Sequence, residues 1–441
     1  MKKEIGLGLL GFGVVGSGVV KTLKKNGRLI QSRTGLNFVL RKIADLDLDS
    51  DRGVKISPAI LTRDADSVVN DPDIDIVIEL IGGVQAARDL MTKALKLGKP
   101  VITANKALLA EYGDEMFSLA EEYQTDVFFE ASVGGGMPLL RSLRESLVSN
   151  RIRSIFGILN GTCNYILTRM EQTNMNFDDL LKEAQKVGYA ESDPSLDIDG
   201  VDTAHKAVIL ASLAYGFHIP MSAVAIEGIR AIDAVDIQYA EDLGYRIKML
   251  AVIKDVNRDV EVRVHPALIP VDHIMASVSG VFNAVMLDCD GAGDVLCYGK
   301  GAGRNPTASA VLSDVVDAGR NLMFHSQRRT PGFVSYNSDC RIRDIGEAEV
   351  RYYMRLTLLD HPGVFGQIGS VLGRNGISIA SVLQKESRIG EQVPVIIITH
   401  YAKEKAFCEA MKELDTMIVT GTKTVRYRIE DFQLDCIGIS K

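Results

Sequence analysis

Residues 5–25 constrain the fold more than any other stretch. A short apolar run at 5–10 leads directly into Gly11-Phe12-Gly13-Val14-Val15-Gly16, and 17–25 has helical character. A strand that ends in G-x-G-x-x-G and continues as a helix opens a doubly wound parallel sheet. Gly11 permits the turn, Gly13 lets main-chain amides reach a pyrophosphate, and Gly16 lets the helix pack close to the strand. The helix N-terminus adds amide donors and a favourable dipole for phosphates. The alternative is a plain glycine-rich turn; the strand–turn–helix context favours a dinucleotide.

The next elements continue the sheet. A second strand at 38–44 ends at Asp45, and an acid there accepts from the adenosine ribose hydroxyls. Asp45 comes 29 residues after Gly16, longer than the usual spacing of about 20; the polar stretch 26–37 reads as a loop that accounts for the excess. Asp45 repels a 2′-phosphate, which leans towards NAD. Arg41, Lys42, Arg52 and Lys55 pull towards NADP, and a strand-end turn residue is the plain alternative. Residues 74–81 form an apolar run of the kind buried on both faces of a parallel sheet. A helix at 85–97 and a strand at 101–103 follow, and Ala104-Asn105-Lys106 leads into another helix. Ligands gather at the carboxyl ends of such strands, so Thr103, Asn105 and Lys106 face the nicotinamide end. A further strand at 126–131 precedes Gly134-Gly135-Gly136-Met137-Pro138. Those glycines imply close backbone approach to a ligand, an ion, or the chain itself in a tight turn.

The middle of the chain carries an acidic stretch, 188–206, with Glu191, Asp193, Asp197, Asp199 and Asp202 ahead of Lys206. Gly200 reads as a helix start. Asp202 and Lys206 are four apart and share a helix face. The apolar run 207–211 leaves that face little solvent, so Lys206 points into a protected site, where an amine needs a counter-charge or loses its proton more readily. An ordinary surface ion pair is the alternative. Upstream, 151–160 is strand-like, and Asn160-Gly161-Thr162-Cys163-Asn164 starts a helix whose side chains cap it and line a site. Nothing marks Cys163 as a nucleophile. Strands are expected at 248–256 and 260–265; His265 and His273 read as structural. A second glycine-rich turn, 299–307, precedes a helix at 308–316, as an anion or cofactor site or as a packing turn.

Size and charge bound the rest. The chain has 441 residues, which suggests roughly two to four domains. Its formal charge of −7 argues against a nucleic-acid partner. No apolar run approaches the ~18 residues that span a bilayer, and the start shows no signal-peptide cleavage region. Six scattered cysteines without metal spacing suggest reduced thiols in a cytoplasm. Residues 341–350 look like a charged linker. From 351 to 429 the order is β-α-β-β-α-β, a ferredoxin-like split motif, with strands at 351–359, 377–386, 393–401 and 424–429. Asn375-Gly376 ends its first helix.

Taken together, the motifs resemble the homoserine dehydrogenase family. They are GFGVVG (11–16), ITANKALLA (102–110), EASVGGGMPLL (130–140), ILNGTCNYIL (158–167), GYAESDPSLDIDGVDTAHK (188–206) and GKGAGRNPTASAV (299–311), in the family's order. With D-x-P-G-V at 360–364, the tail resembles an ACT regulatory domain. The resemblance implies an α/β fold in three parts: a Rossmann-type domain at 1–135, completed by a helix at 307–325; an α+β substrate and dimerisation domain at 136–340; and an ACT-like domain at 350–430.

It further implies reversible hydride transfer between L-homoserine and L-aspartate 4-semialdehyde with NAD or NADP, in threonine, isoleucine and methionine biosynthesis. Many relatives carry arginine where this chain has Ala44, which favours NAD. Lys206 matches the proton-transfer lysine and Asp202 its partner. Lys106 matches a lysine near nicotinamide and substrate, and Glu191 the acceptor of the substrate's amino group. Asp197, Gly161 and Thr162 match pocket positions. Gly11, Phe12, Gly13, Val14, Val15, Gly16, Asp45, Thr103, Asn105 and Gly303 fall to the cofactor. Main-chain oxygens of Glu130, Val133, Gly135 and Met137 match a sodium site. Asp360, Gly363 and Gly376 are the effector positions, with L-threonine as effector, and the enzyme is expected to be a homodimer or homotetramer. Deletion after about residue 345 is expected to leave activity and abolish regulation. The competing reading is a cofactor-bound amino-acid sensor without catalysis; the presence of both lysines, Glu191 and Asp202 argues against it. An acylating aldehyde dehydrogenase would need a nucleophilic cysteine in a suitable context, and none is found.

Overall fold

Every second residue of the opening strand is apolar on one face, and its glycines leave the other face open to close packing. The result, in a computed structural model describing residues 4–329, 332, 337, 339–384, 392–418 and 420–432, is the centre of a parallel sheet. Its strands are β1 (Glu4–Leu10), β2 (Asn37–Ala44), β3 (Leu61–Thr62), β4 (Ile76–Glu79), β5 (Val101–Thr103) and β6 (Val127–Phe128), in the order β3-β2-β1-β4-β5-β6. Each neighbouring pair is parallel. β1 and β4 are buried almost throughout, as strands covered by helices on both faces must be. Helix Arg304–Phe324 returns from far along the chain to lie beside helix Val14–Thr34, and Val19, Val20, Val311 and Val315 share a core with Leu7, Leu9 and Ile43.

Two expectations need correction here. Residues 26–37 are not a loop: helix Val14–Thr34 runs on until Gly35, at φ 74°, stops it with its N–H on the Gln31 carbonyl. The polar residues Arg28, Gln31, Ser32 and Arg33 are exposed; they mark the solvent end of a helix, for which arginine and glutamine have good propensity. The helix after the second glycine-rich turn begins at Arg304 rather than 308, with Pro306 tolerated in its first turn.

The second sheet has twelve strands and runs through both the middle and the tail of the chain. Its path is Gly293–Lys300, Phe282–Cys289, Ile152–Ile158, Tyr245–Val256, Asp259–Pro270, Val425–Ile429, Glu349–Leu359, Gln392–Thr399 and Ile379–Gln384. The junction is a parallel pairing of Ala267 and Leu268 with Arg428 and Ile429. The tail has the expected β-α-β-β-α-β order, and positions 385 and 386 of the strand expected at 377–386 lie outside the described residues. Nor is 341–350 a free linker. Arg341–Ile342 pairs with Asp259 and Val260, and Arg343 bonds the Val260 carbonyl at 2.9 Å.

Ion pairs, two sets buried and one half-buried, fasten this junction. Asp236, fully buried, accepts from Arg355 at 2.6 and 2.8 Å and from Tyr353 at 2.9 Å. Glu430 accepts from Lys254 at 2.9 Å and also from Arg263. Glu227 accepts from Arg428 at 2.8 Å. Helix Val201–Tyr215 packs on the strands Tyr245–Val256 and Asp259–Pro270, and helix Lys106–Glu122 packs against it in turn. That last contact brings the two sheets' chemistry together.

Candidate active site

The dinucleotide end of the site is shaped by glycine. Gly11 sits at φ 95°, and a Cβ there would lie 2.3 Å from the Leu80 carbonyl oxygen. A Cβ at Gly16 would lie 2.1 Å from the Gly11 oxygen, so the helix packs hard on the turn. Around Gly13, by contrast, a Cβ would meet nothing within 4 Å. The helix that starts at Val14 has no side-chain cap, so its first amides are available to an anion. This open cradle fits a pyrophosphate. Gly303 lies close by, because a Cβ on Gly18 of the first helix would press on the Arg304 oxygen at 2.6 Å.

Asp45 has a second occupation. One carboxylate oxygen accepts the Phe12 amide from inside the glycine-rich turn, and the other accepts the Asp47 amide at 2.8 Å. It therefore anchors the loop and caps its own turn. Three of the four cations expected around it are engaged with other acids: Arg41 with Glu4, Lys42 with Asp71 at 2.7 Å, Arg52 with Asp47 at 2.7 Å.

At the carboxyl ends of β4 and β5, Glu79 is fully buried and accepts from the Thr103 hydroxyl at 2.6 Å and the Ile81 amide at 2.9 Å. Burial pushes its carboxyl above the ordinary range in spite of those donors. Thr103 is thereby occupied. Asn105 caps helix Lys106–Glu122 through the Leu108 amide and donates to the Gly83 carbonyl at 2.6 Å. Of the three residues expected at the nicotinamide end, Lys106 is the one that reaches the acidic stretch, through Asp202.

Asp202 is the hub. Its Oδ2 accepts from Lys206 Nζ at 2.6 Å and from Asn160 Nδ2 at 2.9 Å, while its Oδ1 lies 3.0 Å from Lys106 Nζ. Burial opposes ionisation of this carboxyl, but the two ammonium groups overcome it and hold it well below the usual carboxylate range. Lys106 shows the converse. Burial works against its charge, yet Asp202, then Asp197 and Glu191, raise it above the ordinary lysine value. Lys206 is buried and donates to the Leu159 carbonyl at 2.7 Å as well as to Asp202. An ammonium has three protons, and these two acceptors take two of them.

Asn160 ties the acidic stretch together. Its amide donates to Asp197 at 2.7 Å and to Asp202, and its oxygen caps helix Gly161–Thr173 at the Cys163 amide. The Thr162 hydroxyl lies 3.1 Å from Asp197 Oδ2, and Gly161 begins the helix that carries it. Burial pushes the Cys163 thiol well up, with Asp197 adding to the effect, and it faces the Asp197 carbonyl; it is no nucleophile. The five acids thus divide. Asp202 and Asp197 are inside, Glu191 and Asp193 are at the rim, and Asp199 turns away to Arg230.

Lys106, Glu191, Asp197 and Asp202 face the nucleotide loop across a cleft of about 350 Å³ that Val15 and Glu79 also line; Lys206 and Asn160 connect to it through Asp202. A larger cavity of about 1000 Å³ lies between Arg144, Arg151, Asp255 and Arg329. It adjoins neither the glycine-rich turn nor the lysine–carboxylate cluster, whereas the smaller cleft adjoins both. Residues that sequence reasoning did not single out are Glu79, His205 and, as hub partner, Asn160. His205 lines the cleft, and burial lowers its ring below the ordinary histidine value. Glu79 had a signal: an acid at the carboxyl end of a central strand.

The other expected sites are placed as follows. A Cβ on Gly135 would lie 2.5 Å from the Gly301 oxygen, and the Gly136 amide donates to the Lys300 carbonyl at 3.1 Å. The close approach implied by the three glycines is therefore to the chain's own second glycine-rich turn. Glu130 itself is buried, with its carboxylate accepting the Leu140 and Arg141 amides. In the tail, Asp360 and Gly363 precede helix Val364–Arg374, and Gly376 follows it. Eleven residues at 1.5 Å rise separate the two ends by about 16 Å, so one copy does not bring all three to one small ligand.

A doubly wound nucleotide sheet that faces a lysine–carboxylate–lysine cluster defines a nicotinamide-dependent oxidoreductase. Comparison with known proteins narrows the class. Residues 138–316 match the family described as homoserine dehydrogenase, residues 11–130 its NAD-binding domain, and residues 352–415 the ACT domain. The chain is 42% identical over 431 residues to a homoserine dehydrogenase of Neisseria gonorrhoeae, covering 97% of this chain and 99% of that one. It is 41% identical over 432 residues to that of Pseudomonas aeruginosa, covering 97% and 99%. A homoserine dehydrogenase structure from Thiobacillus denitrificans superposes with a TM-score of 0.92 at 41% identity, covering 98% and 99%. A hyperthermophilic archaeal homoserine dehydrogenase in complex with NADPH matches at a TM-score of 0.61 and 28% identity, covering 72% of this chain and 98% of that one. The chain belongs to the homoserine dehydrogenase family and carries an ACT domain at its C-terminal end. Among the described residues no helix is long and apolar enough to cross a membrane.

Proposed function

We propose that the cleft interconverts L-homoserine and L-aspartate 4-semialdehyde, with Lys206 as the proton-transfer group, Lys106 as electrostatic support and Glu191 as acceptor of the substrate ammonium. The observation that carries this reading is the shared carboxylate: Asp202 joins Lys206 and Lys106 within 3.0 Å. The bound dinucleotide supplies or accepts the hydride. In the reducing direction Lys206 donates its uncommitted proton to the aldehyde oxygen, and in the oxidising direction it helps remove the alcohol proton. Asp202, which lines the cleft, fixes the lysine beside it. Lys106, still two-fifths exposed, adds positive potential where alkoxide character develops. Asp197, Thr162 and Gly161 form the wall against which the amino-acid end rests.

The proposal takes NAD as the preferred cofactor, supported by the Asp45 carboxylate beside the loop and by the engagement of nearby cations with other acids. It includes a sodium ion on the main-chain oxygens of Glu130, Val133, Gly135 and Met137; carbonyl ligands need no particular side chain, so Gly135 and Met137 serve. A homodimer or homotetramer goes with the reading, supported by the tail's outermost strand, Ile379–Gln384, which exposes Ile379 and Val382. L-Threonine is the proposed effector through Asp360, Gly363 and Gly376, contributed by different copies. A cytoplasmic location is supported by the scatter of the six cysteines. The experiment is oxidation of NADH and NADPH, each titrated with L-aspartate 4-semialdehyde, with and without L-threonine and sodium. Oxidation of either cofactor is expected. Folded protein that binds dinucleotide yet oxidises neither would support an amino-acid sensor instead.

A further inference from the structure

Segment 225–230 touches both the tail domain and the acidic stretch of the cleft. Ala225–Ile226 pairs with Arg263 and Val264, and the Glu227 amide extends this with a bond to the Val264 carbonyl at 2.8 Å. The Glu227 carboxylate accepts from Arg428 on the tail's last strand at 2.8 Å, and Arg428, 5% exposed, also donates to Glu404 at 2.7 and 2.8 Å. One residue on, Gly228 is pressed into the turn that follows Asp197. A Cβ there would lie 2.4 Å from the Ile198 oxygen and 2.7 Å from the Asp199 Cα. The Ile229 amide donates to the Ile198 carbonyl at 2.8 Å. Arg230 donates to Asp199 at 3.0 Å and to Ser195 at 3.1 Å. A Cβ on Gly200, just before the Asp202–Lys206 helix, would lie 3.1 Å from Ile226 Cγ2. The segment is a strap with one end, the half-buried Glu227, in an ion cluster of the tail and the other under the loop that presents Asp197.

We infer that Glu227 is a positioning residue for Asp197, acting through the Gly228 and Ile229 contacts on Ile198, and that its bond to Arg428 couples that position to the tail domain. The inference rests on the reading of the cleft proposed above. A close-packed glycine and a direct main-chain bond leave no slack, so a shift of the ion cluster moves the Ile198 carbonyl and the carboxylate beside it. The amino-acid end of the substrate meets Asp197, whereas the dinucleotide meets other residues; displacement should therefore appear in one KM and not in the other.

The test uses the full chain with Glu227→Ala, Glu227→Gln and Gly228→Ala, reading both KM values, kcat, and amide hydrogen exchange across 195–204. Glu227→Ala is expected to raise the KM for L-aspartate 4-semialdehyde about tenfold, leave the dinucleotide KM within about twofold, and speed exchange in that segment. Glu227→Gln retains an acceptor for Arg428 and should restore the amino-aldehyde KM. Gly228→Ala, with the ion cluster intact, should reproduce the KM change, and it decides the matter if Glu227→Ala does not fold. Unchanged KM and unchanged exchange in the folded variants would overturn the inference. So would an equal rise in both KM values, the mark of a merely structural tie. Exchange needs no turnover, so it tests the strap even where the amino aldehyde is not consumed; failure of wild-type turnover counts against the proposed reaction alone.

Discussion

Lys206 meets Asp202 at 2.6 Å inside the protein, four residues along the same helix. Both side chains are less than a tenth exposed, so the pair is neither a surface decoration nor free to rearrange. General acid–base catalysis of this kind contributes roughly 10²- to 10⁴-fold. Lys206→Ala is expected to lower kcat by about that factor while dinucleotide binding, measured by fluorescence titration, stays near normal. Near-normal turnover in that variant would remove Lys206 from the mechanism.

Acid stability should report a buried imidazole on the second sheet. His265 is 1% exposed, accepts from Arg263 at 3.1 Å through Nε2 and faces the Pro266 carbonyl at 3.0 Å through Nδ1, a neutral arrangement. Burial, with Arg428 and Arg263 adding to it, pushes the ring down to about 3. Between that value and the ordinary histidine value of about 6.5, the unfolded chain binds a proton that the folded chain refuses. Stability therefore falls as pH drops through this window, by at most about 1.4 kcal/mol per pH unit from this group. Denaturant melts from pH 7 to pH 4 should show a shallower loss in His265→Gln than in the wild type. Parallel curves would assign the acid sensitivity to other groups.

What could be read from the sequence follows the range of the interaction. Gly11, Gly13 and Gly16 were legible because a turn and a helix start impose local backbone demands. The Asp202–Lys206 pair was legible because helical spacing puts four-apart residues on one face. Lys106 was visible as a strand-end residue and, through the resemblance, as a lysine near the substrate; that it reaches the same carboxylate depends on two helices packing from distant parts of the chain. Asn160 showed as a cap, but its bridging of Asp197 and Asp202 is tertiary. The polar end of the first helix was misread because exposed helix and loop share a composition. The tail's pairing with the middle of the chain was not readable, since a parallel contact such as Leu268 with Ile429 leaves no local mark.

Asp45 permits a test that separates anchoring from charge. Asp45→Asn keeps an oxygen for the Phe12 amide while removing the negative charge. If the charge repels a 2′-phosphate, the ratio of kcat/KM for NADPH over NADH should rise about tenfold in this variant, or ~1.4 kcal/mol. A ratio that does not move would make Asp45 a loop anchor and leave cofactor preference to other residues.

Removing the tail after about residue 345 should not yield an active, desensitised enzyme, contrary to the expectation for a tethered module. The tail strand Val425–Ile429 completes the edge of Asp259–Pro270, and its loss exposes apolar edge surface. It also strips Asp236 of Arg355, Tyr353 and Tyr427, and Glu227 of Arg428. For the fully buried Asp236, leaving the charge without its partner costs about 3–5 kcal/mol, comparable with the whole stability of many domains. The expected outcome is insoluble or unfolded protein, measured as the yield of monodisperse protein and by its melting curve. In Arg355→Met, the single pair is broken while the sheet stays intact, and the melting temperature should drop without loss of the fold. A truncated chain that is soluble, melts cooperatively and turns over normally would show that the ion pairs at the junction serve communication rather than stability.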